Sequence, residues 1–318
     1  MRLFGMKKKI LIIDKMHESI EPMLVEKGFE VDFRPEIKPE EVFKIVGVYE
    51  GLILRSKMLV NRELIEKATK LEFIARAGAG VDQIEADFLV DRNITVLNAP
   101  EGNRDALAEH VLGMMLCLLN HIHLAHQQVI SGIWDREGNR GREVAGKTVT
   151  LFGFGNMGQA TAMRLSGFSA RVLAYDKYRQ DIQTSLARMV SLPQVFSDTD
   201  ILSLHVPLTE ETRGMFNLSF FEKFEKPIYL INTARGEILP MRDLLQAIER
   251  GIVKGAALDV LENEKLDKLS KEQQELLEAL AKTNRVIFTP HVGGWTFESY
   301  QKINLVLANK IAALYHLV

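Results

Sequence analysis

Short apolar runs alternate with amphipathic stretches along the chain, a pattern that predicts an α/β architecture with mostly parallel sheets. The first run, Lys9–Ile13, reads as a strand, and His17–Lys27 has helical spacing with Gly28 placed to stop it. Further strands are expected at Phe29–Phe33, Leu52–Arg55, Phe73–Arg76 and Ile94–Leu97, with helices at Pro39–Val46, Asn61–Ala68 and Gln83–Val90. These elements make up one five-stranded unit. A longer helical pattern then runs from about Asp105 to Ile130, and the polar stretch Ser131–Gly146 leads into a second unit. Its strands are expected at Thr148–Phe152, Arg171–Tyr175, Ile201–Leu204, Ile228–Ile231, Gly255–Leu258 and Val286–Phe288. A last helix, about Phe297 to His316, closes the chain, and no internal repeat or low-complexity segment interrupts it.

The pattern acquires chemistry at Gly153-Phe154-Gly155-Asn156-Met157-Gly158. This G-x-G-x-x-G string follows a predicted strand and opens the helical run Asn156–Leu165, the context in which each glycine has a task. Gly153 permits a tight turn, Gly155 lets the backbone approach a pyrophosphate, and Gly158 lets helix and strand pack closely. The helix N-terminus offers unpaired N–H groups to the phosphates. Asp176 ends the next strand, eighteen residues after Gly158, where a carboxylate accepts from the adenosine ribose and repels a 2′-phosphate. NAD is therefore expected rather than NADP, although Lys177 and Arg179 follow closely and could tolerate a 2′-phosphate. A complete α/β unit precedes the dinucleotide motif, and substrate binding is the economical role for it.

Hydride transfer to a ketone requires an acid to protonate the oxygen, a cation to hold and polarise the substrate, and a partner that tunes the acid. Such groups belong beyond the C-terminal ends of parallel strands. Arg235 lies there in Asn232-Thr233-Ala234-Arg235-Gly236, Glu264 follows the strand ending near Leu258, and His291 lies in Thr289-Pro290-His291-Val292-Gly293-Gly294. Each alone has a bland reading as a solvated charge or turn residue. Three in succession downstream of a dinucleotide motif do not.

These segments, with His205-Val206-Pro207-Leu208-Thr209, Leu258-Asp259-Val260 and Thr296, resemble in order and spacing the D-isomer-specific 2-hydroxyacid dehydrogenases. Upstream, Arg76-Ala77-Gly78-Ala79-Gly80-Val81-Asp82 and Asn98-Ala99-Pro100 with Gly102-Asn103 look like that family's substrate-domain loops. The resemblance implies two Rossmann/flavodoxin-like domains with the active site in the cleft between them. Residues 1–104 plus 295–318 would form a discontinuous substrate-binding domain, and 105–294 the NAD-binding domain. His291 would be the general acid/base, Glu264 its partner, and Arg235 the ligand of the substrate carboxylate and carbonyl. Backbone N–H groups around Ala79 and Gly80 would hold the carboxylate from the other domain. The cofactor would meet Gly153, Gly155, Asn156, Met157, Gly158 and Asp176, then His205, Val206, Pro207 and Thr209. It would also meet Thr233, Ala234, Arg235, Asp259, His291, Gly293 and Gly294, with Asp259 at the nicotinamide carboxamide. The helix after Asp105 would contribute to a homodimer. Lys265 stands where the family usually has proline after the glutamate, and Met157 replaces the commoner Ile or Val.

Composition narrows the partners. Apolar residues make up 47% of the 318, and the net charge is −2, which gives no footprint for nucleic acid or an anionic membrane. The apolar runs Ile10–Ile13 and Val111–Leu119 are too short for a signal-peptide core and a membrane span, respectively. Cys117 is the only cysteine, so no intrachain disulfide forms and a cytoplasmic protein is expected. His121, His123 and His126 lack a fourth ligand at a usable spacing, so no metal is expected. Arg55-Ser56-Lys57 resembles the basic segment that grips substrate phosphate in D-3-phosphoglycerate dehydrogenases, which makes serine biosynthesis an alternative. The chain ends soon after its last helix, so a C-terminal regulatory domain is not expected. A cofactor-sensing corepressor is the alternative from another class, and a formate-type dehydrogenase is disfavoured because Glu264 is an acid rather than an amide.

Overall fold

The computed structural model describes residues 7–85, 89, 92–179 and 181–317. Of the expected helix Gln83–Val90, residues 86–88 and 90 lie outside that set, while Gln83–Glu85 are not helical and Ile84 instead forms an isolated parallel bridge with Val60. The chain divides into two compact units, Met1–Asn103 with Trp295–Val318, and Arg104–Gly294.

Five strands of the first unit are described: β1 Lys9–Ile12, β2 Glu30–Phe33, β3 Gly51–Leu54, β4 Phe73–Arg76 and β5 Thr95–Asn98. They form one parallel sheet in the order β2-β1-β3-β4-β5. The central strands of such a sheet are covered on both faces and so read as apolar runs; Ile10–Ile12 and Leu52–Leu54 are fully buried. Strand order reverses between β1 and β3, so Asp14 and Arg55, just past their ends, flank the point where open α/β sheets take ligands.

The terminal helix Phe297–Leu314 belongs to this unit because its apolar stripe is buried there. Ile303, Leu307, Ala308 and Ile311 join Ile10, Ile12 and Phe73 in one core cluster, each large side chain contributing about 1.5–3 kcal/mol. Thr296 and Ser299 cap its first turn reciprocally: each backbone N–H donates to the other's hydroxyl. Gly102 allows a neighbouring helix to approach, since a Cβ there would lie 2.7 Å from the Ile303 backbone.

The second unit holds β6 Thr148–Phe152, β7 Arg171–Tyr175, β8 Arg188–Met189, β9 Ile201–Leu204, β10 Ile228–Asn232, β11 Val253–Leu258 and β12 Val286–Phe288. Their order is β12-β11-β10-β9-β6-β7-β8, again parallel, with the reversal between β6 and β9. This is the dinucleotide-binding order with one further strand. Successive residues of the central strands go to opposite faces: Leu202, Leu230 and Ala256 to one core, Ile201, Ile231 and Ala257 to the other. The two-residue β8 was not expected, because no apolar run marks it.

The helix expected over Asp105–Ile130 differs in two ways. It starts earlier, at Pro100, whose fixed φ and missing N–H suit a first helical turn. It ends at Leu119; His121 adopts a left-handed conformation (φ 51°), and a second helix, Ile122–Ile130, leaves at 59°. Among the described residues no single helix is long and apolar enough to cross a membrane.

Candidate active site

The glycine loop sits at the strand-order reversal of the second sheet. Gly153 has φ 99°, a left-handed value, and its N–H donates to Tyr175 O at 2.8 Å. A Cβ on Gly153 would lie 2.6 Å from His205 O, so the loops after β6 and β9 meet at this point. A Cβ on Gly158 would lie 2.3 Å from Gly153 O, the close packing expected of the third glycine. Gly155 caps the helix Asn156–Leu165 and faces open space. Asp176 braces this loop: its Oδ2 accepts the Phe154 N–H at 2.8 Å and its Oδ1 the Tyr178 N–H at 3.0 Å. Lys177 pairs with Glu211, which also accepts from the Tyr178 hydroxyl at 2.6 Å.

His205 follows β9 with Nε2 3.0 Å from Ser203 Oγ, and burial pushes its pKa down to about 4. The Val206–Thr209 turn is tied by Thr212, whose hydroxyl donates to Pro207 O at 2.7 Å and accepts the Thr209 N–H at 2.8 Å. After β10, Asn232 organises the next loop. Its Oδ1 accepts the Ala234 N–H at 3.0 Å, and its Nδ2 donates to Arg235 O at 2.9 Å. Arg235 is half-buried, with Nη1 donating to Ala234 O at 2.7 Å. Thr233 is buried, and its hydroxyl has no hydrogen-bond partner among the described residues.

Glu264 and His291, far apart in sequence, are brought together: His291 Nδ1 lies 2.9 and 3.0 Å from the two carboxylate oxygens. Both side chains remain half-exposed, at 46% and 47%. His291 has φ 54°, uncommon for a residue with a side chain. Its N–H donates to the backbone carbonyl of Asp259 at 2.8 Å. The Asp259 carboxylate, 2% exposed, accepts from the Thr289 hydroxyl at 2.6 Å, the Val292 N–H at 3.0 Å and the Gly293 N–H at 2.8 Å. Burial alone would raise its pKa, but the hydrogen bonds from His110, Thr289 and these amides outweigh it and hold the pKa down. His110, on the helix Pro100–Leu119, was not singled out in the sequence because no motif surrounds it. Its Nε2 lies 3.3 Å from Asp259 Oδ1 and 3.1 Å from Thr289 Oγ1.

Arg55, Lys57, Ala79 and Gly80 lie in the other unit, just beyond β3 and β4. The Asp14 carboxylate accepts the backbone N–H groups of Arg55 at 2.7 Å and of Ser56 and Lys57 at 3.3 Å. Lys57 Nζ donates to the carbonyls of Pro35 and Ile37. The Arg55 guanidinium lies 4.1 Å from the Trp295 ring centroid, and burial lowers its pKa. Ala79 O accepts from Asn98 Nδ2 at 2.6 Å. Among the described residues no group of three or more His, Cys, Asp or Glu side chains could hold a metal ion.

Residues 112–293 match the family model for the D-isomer specific 2-hydroxyacid dehydrogenase, NAD binding domain. The chain belongs to that family. It is 34% identical over 275 residues to the hydroxypyruvate reductase of Thermotoga maritima, covering 86% of this chain and 88% of that one. It is 33% identical over 305 residues to the D-3-phosphoglycerate dehydrogenase of Archaeoglobus fulgidus, covering 95% of this chain but 56% of the relative. The chain thus spans about half the length of the phosphoglycerate dehydrogenases it matches. Among solved structures, the D-lactate dehydrogenase of Aquifex aeolicus, complexed with NAD and lactic acid, superposes with a TM-score of 0.82 at 25% identity. That match covers 96% of this chain and 95% of that one.

The NAD-binding domain of this 2-hydroxyacid dehydrogenase family member fits its cofactor on its own geometry. Gly155 leaves open space at a helix N-terminus, and the buried Thr233 hydroxyl has a hydrogen bond still to make.

Proposed function

We propose that the protein transfers a hydride between NAD(H) and C2 of a small D-2-hydroxy or 2-keto acid. The observation that carries this reading is the His291–Glu264 pair, set on a held, left-handed turn beyond β12 in the NAD-binding domain. With Nδ1 engaged by Glu264, His291 directs Nε2 to the substrate oxygen. It donates a proton to the ketone during reduction and takes one from the alcohol during oxidation. Glu264 fixes the tautomer and the orientation of the ring. Arg235 holds the substrate carboxylate and carbonyl with its planar fork.

NAD(H), when bound, supplies the hydride acceptor or donor. Gly153, Gly155, Asn156, Met157 and Gly158 would take its pyrophosphate, and Asp176 the adenosine ribose. His205 to Thr209, Thr233, Ala234, Asp259, Gly293 and Gly294 would line the remainder. Residues 1–104 plus 295–318 would bind the substrate, with the N–H groups around Ala79 and Gly80 meeting its carboxylate.

The names of several relatives support D-3-phosphoglycerate as the substrate. The commitment of Lys57 to two backbone carbonyls, and of the Arg55–Lys57 amides to Asp14, favours an unphosphorylated acid instead. We also propose a homodimer through the helices Pro100–Leu119 and Ile122–Ile130 and the segment that follows, to Trp134. Ile122, Val129, Ile130, Ile133 and Trp134 expose apolar surface there, Trp134 to 79%. The substrate reading is tested by NADH oxidation with phosphohydroxypyruvate, glyoxylate, hydroxypyruvate and pyruvate. Hydroxypyruvate or glyoxylate should give the highest kcat/KM, and dominance of phosphohydroxypyruvate would restore the phosphoglycerate reading.

A further inference from the structure

We infer that His110 is a positioning residue for His291, acting through Asp259 and Thr289; this rests on His291 being the acid/base. The direction of the hydrogen bonds follows from proton counting. Thr289 has one hydroxyl proton and gives it to Asp259 Oδ1 at 2.6 Å. The ionised carboxylate has none to give. His110 Nε2, 3.1 Å from the first oxygen and 3.3 Å from the second, therefore faces two acceptors and must carry a proton of its own. His110 is thus the donor that closes the cluster from the helix Pro100–Leu119.

What the cluster holds is the turn that presents His291. Asp259 receives the Val292 and Gly293 N–H groups on its carboxylate and the His291 N–H on its backbone carbonyl. These bonds pin consecutive residues around a left-handed conformation that is uncommon for a residue with a side chain. Packing leaves no slack. A Cβ on Gly293 would lie 2.9 Å from Asp259 Oδ2 and 3.2 Å from His110 Cδ2. Without the His110 donor, Asp259 loses the partner that faces it from the helix, and the turn loses its anchor.

The test compares His110→Phe, which keeps a ring but removes the donor, with His110→Gln, whose Nε2 occupies a similar place. Two readouts are needed: steady-state reduction of a 2-keto acid by NADH, and amide hydrogen exchange of the segment 289–294. The phenylalanine variant should lose kcat about ten- to a hundredfold, with KM for the keto acid changed far less. It should also exchange Val292 and Gly293 faster, while β6 keeps its protection. The glutamine variant should recover most of both. Thr289→Val removes the hydroxyl link and should shift exchange in the same direction, should His110→Phe not fold. Unchanged exchange in His110→Phe, or in Thr289→Val if that variant is used instead, would overturn the inference, as would a glutamine variant no better than phenylalanine. Exchange does not depend on turnover. A protein that reduces no keto acid yet shows the expected exchange contrast would overturn the assigned reaction and leave the anchoring by His110 standing.

Discussion

Glu264→Gln and His291→Ala separate the two halves of the acid/base pair. The glutamine keeps the shape of the side chain and its capacity to bond the imidazole, but removes the charge. The His291–Glu264 contact is short, 2.9 and 3.0 Å, and on geometry alone resembles a strong charge-assisted bond of about 1.5–3 kcal/mol. Both side chains are nearly half-exposed, so solvent screens the charge and the lower end of that range applies. A loss of about 1.5 kcal/mol corresponds to roughly tenfold in kcat/KM. His291→Ala deletes the proton donor itself and should cost on the order of a hundred- to ten-thousandfold. The assay is NADH-dependent reduction of hydroxypyruvate at saturating NADH. Equal losses in the two variants, or no loss in Glu264→Gln, would show that the carboxylate does not support the histidine in this way.

Other expectations follow from the same geometry. Arg235→Lys should rescue poorly relative to Arg235→Ala, because an ammonium cannot reproduce a planar fork; near-normal kcat/KM in the lysine variant would show the role misassigned. Asp176→Ala should weaken NADH binding and narrow the preference over NADPH, measured by cofactor fluorescence titration. The change should be modest, because Lys177 stays paired with Glu211 rather than released toward a 2′-phosphate. His205 has a folded pKa of about 4 against about 6.5 unfolded, so the unfolded state binds more protons between those values. Stability should therefore be intact above pH 6.5 and decline as pH falls toward 4, and His205→Gln should flatten that part of a denaturation series. An unchanged slope would assign the acid lability elsewhere.

Much of this was legible because the signals were local. Parallel strands buried on both faces read as near-continuous apolar runs, and Ile10–Ile12 and Leu52–Leu54 are fully buried runs of that kind. The glycine loop was equally readable, since Gly153 needs a left-handed φ and Gly158 a bare Cα, requirements that sequence records directly. What stayed hidden depended on partners distant in sequence. Gly102 reads as a loop residue, yet it sits in a helix and is small because Ile303 presses on it. His110 lies in an apolar helix with nothing nearby to mark it, and its role appears only when Asp259 and Thr289 arrive from other strands. Lys57 carries the charge of a phosphate ligand, but the carbonyls of Pro35 and Ile37 occupy its ammonium. Asp14 likewise ends an apolar run without announcing that it will collect three successive amides.

The central claim is hydride transfer to C2 of a 2-keto acid with His291 as the proton donor. The measurement that tests it most directly follows the isotope: hydroxypyruvate is incubated with the protein and NADH deuterated at C4, and the product is resolved by chirality and mass. The account requires glycerate of D configuration carrying one deuterium at C2, formed by the native protein and lost in His291→Ala. Cofactor bound without turnover, deuterium absent from C2, or an L product would contradict it.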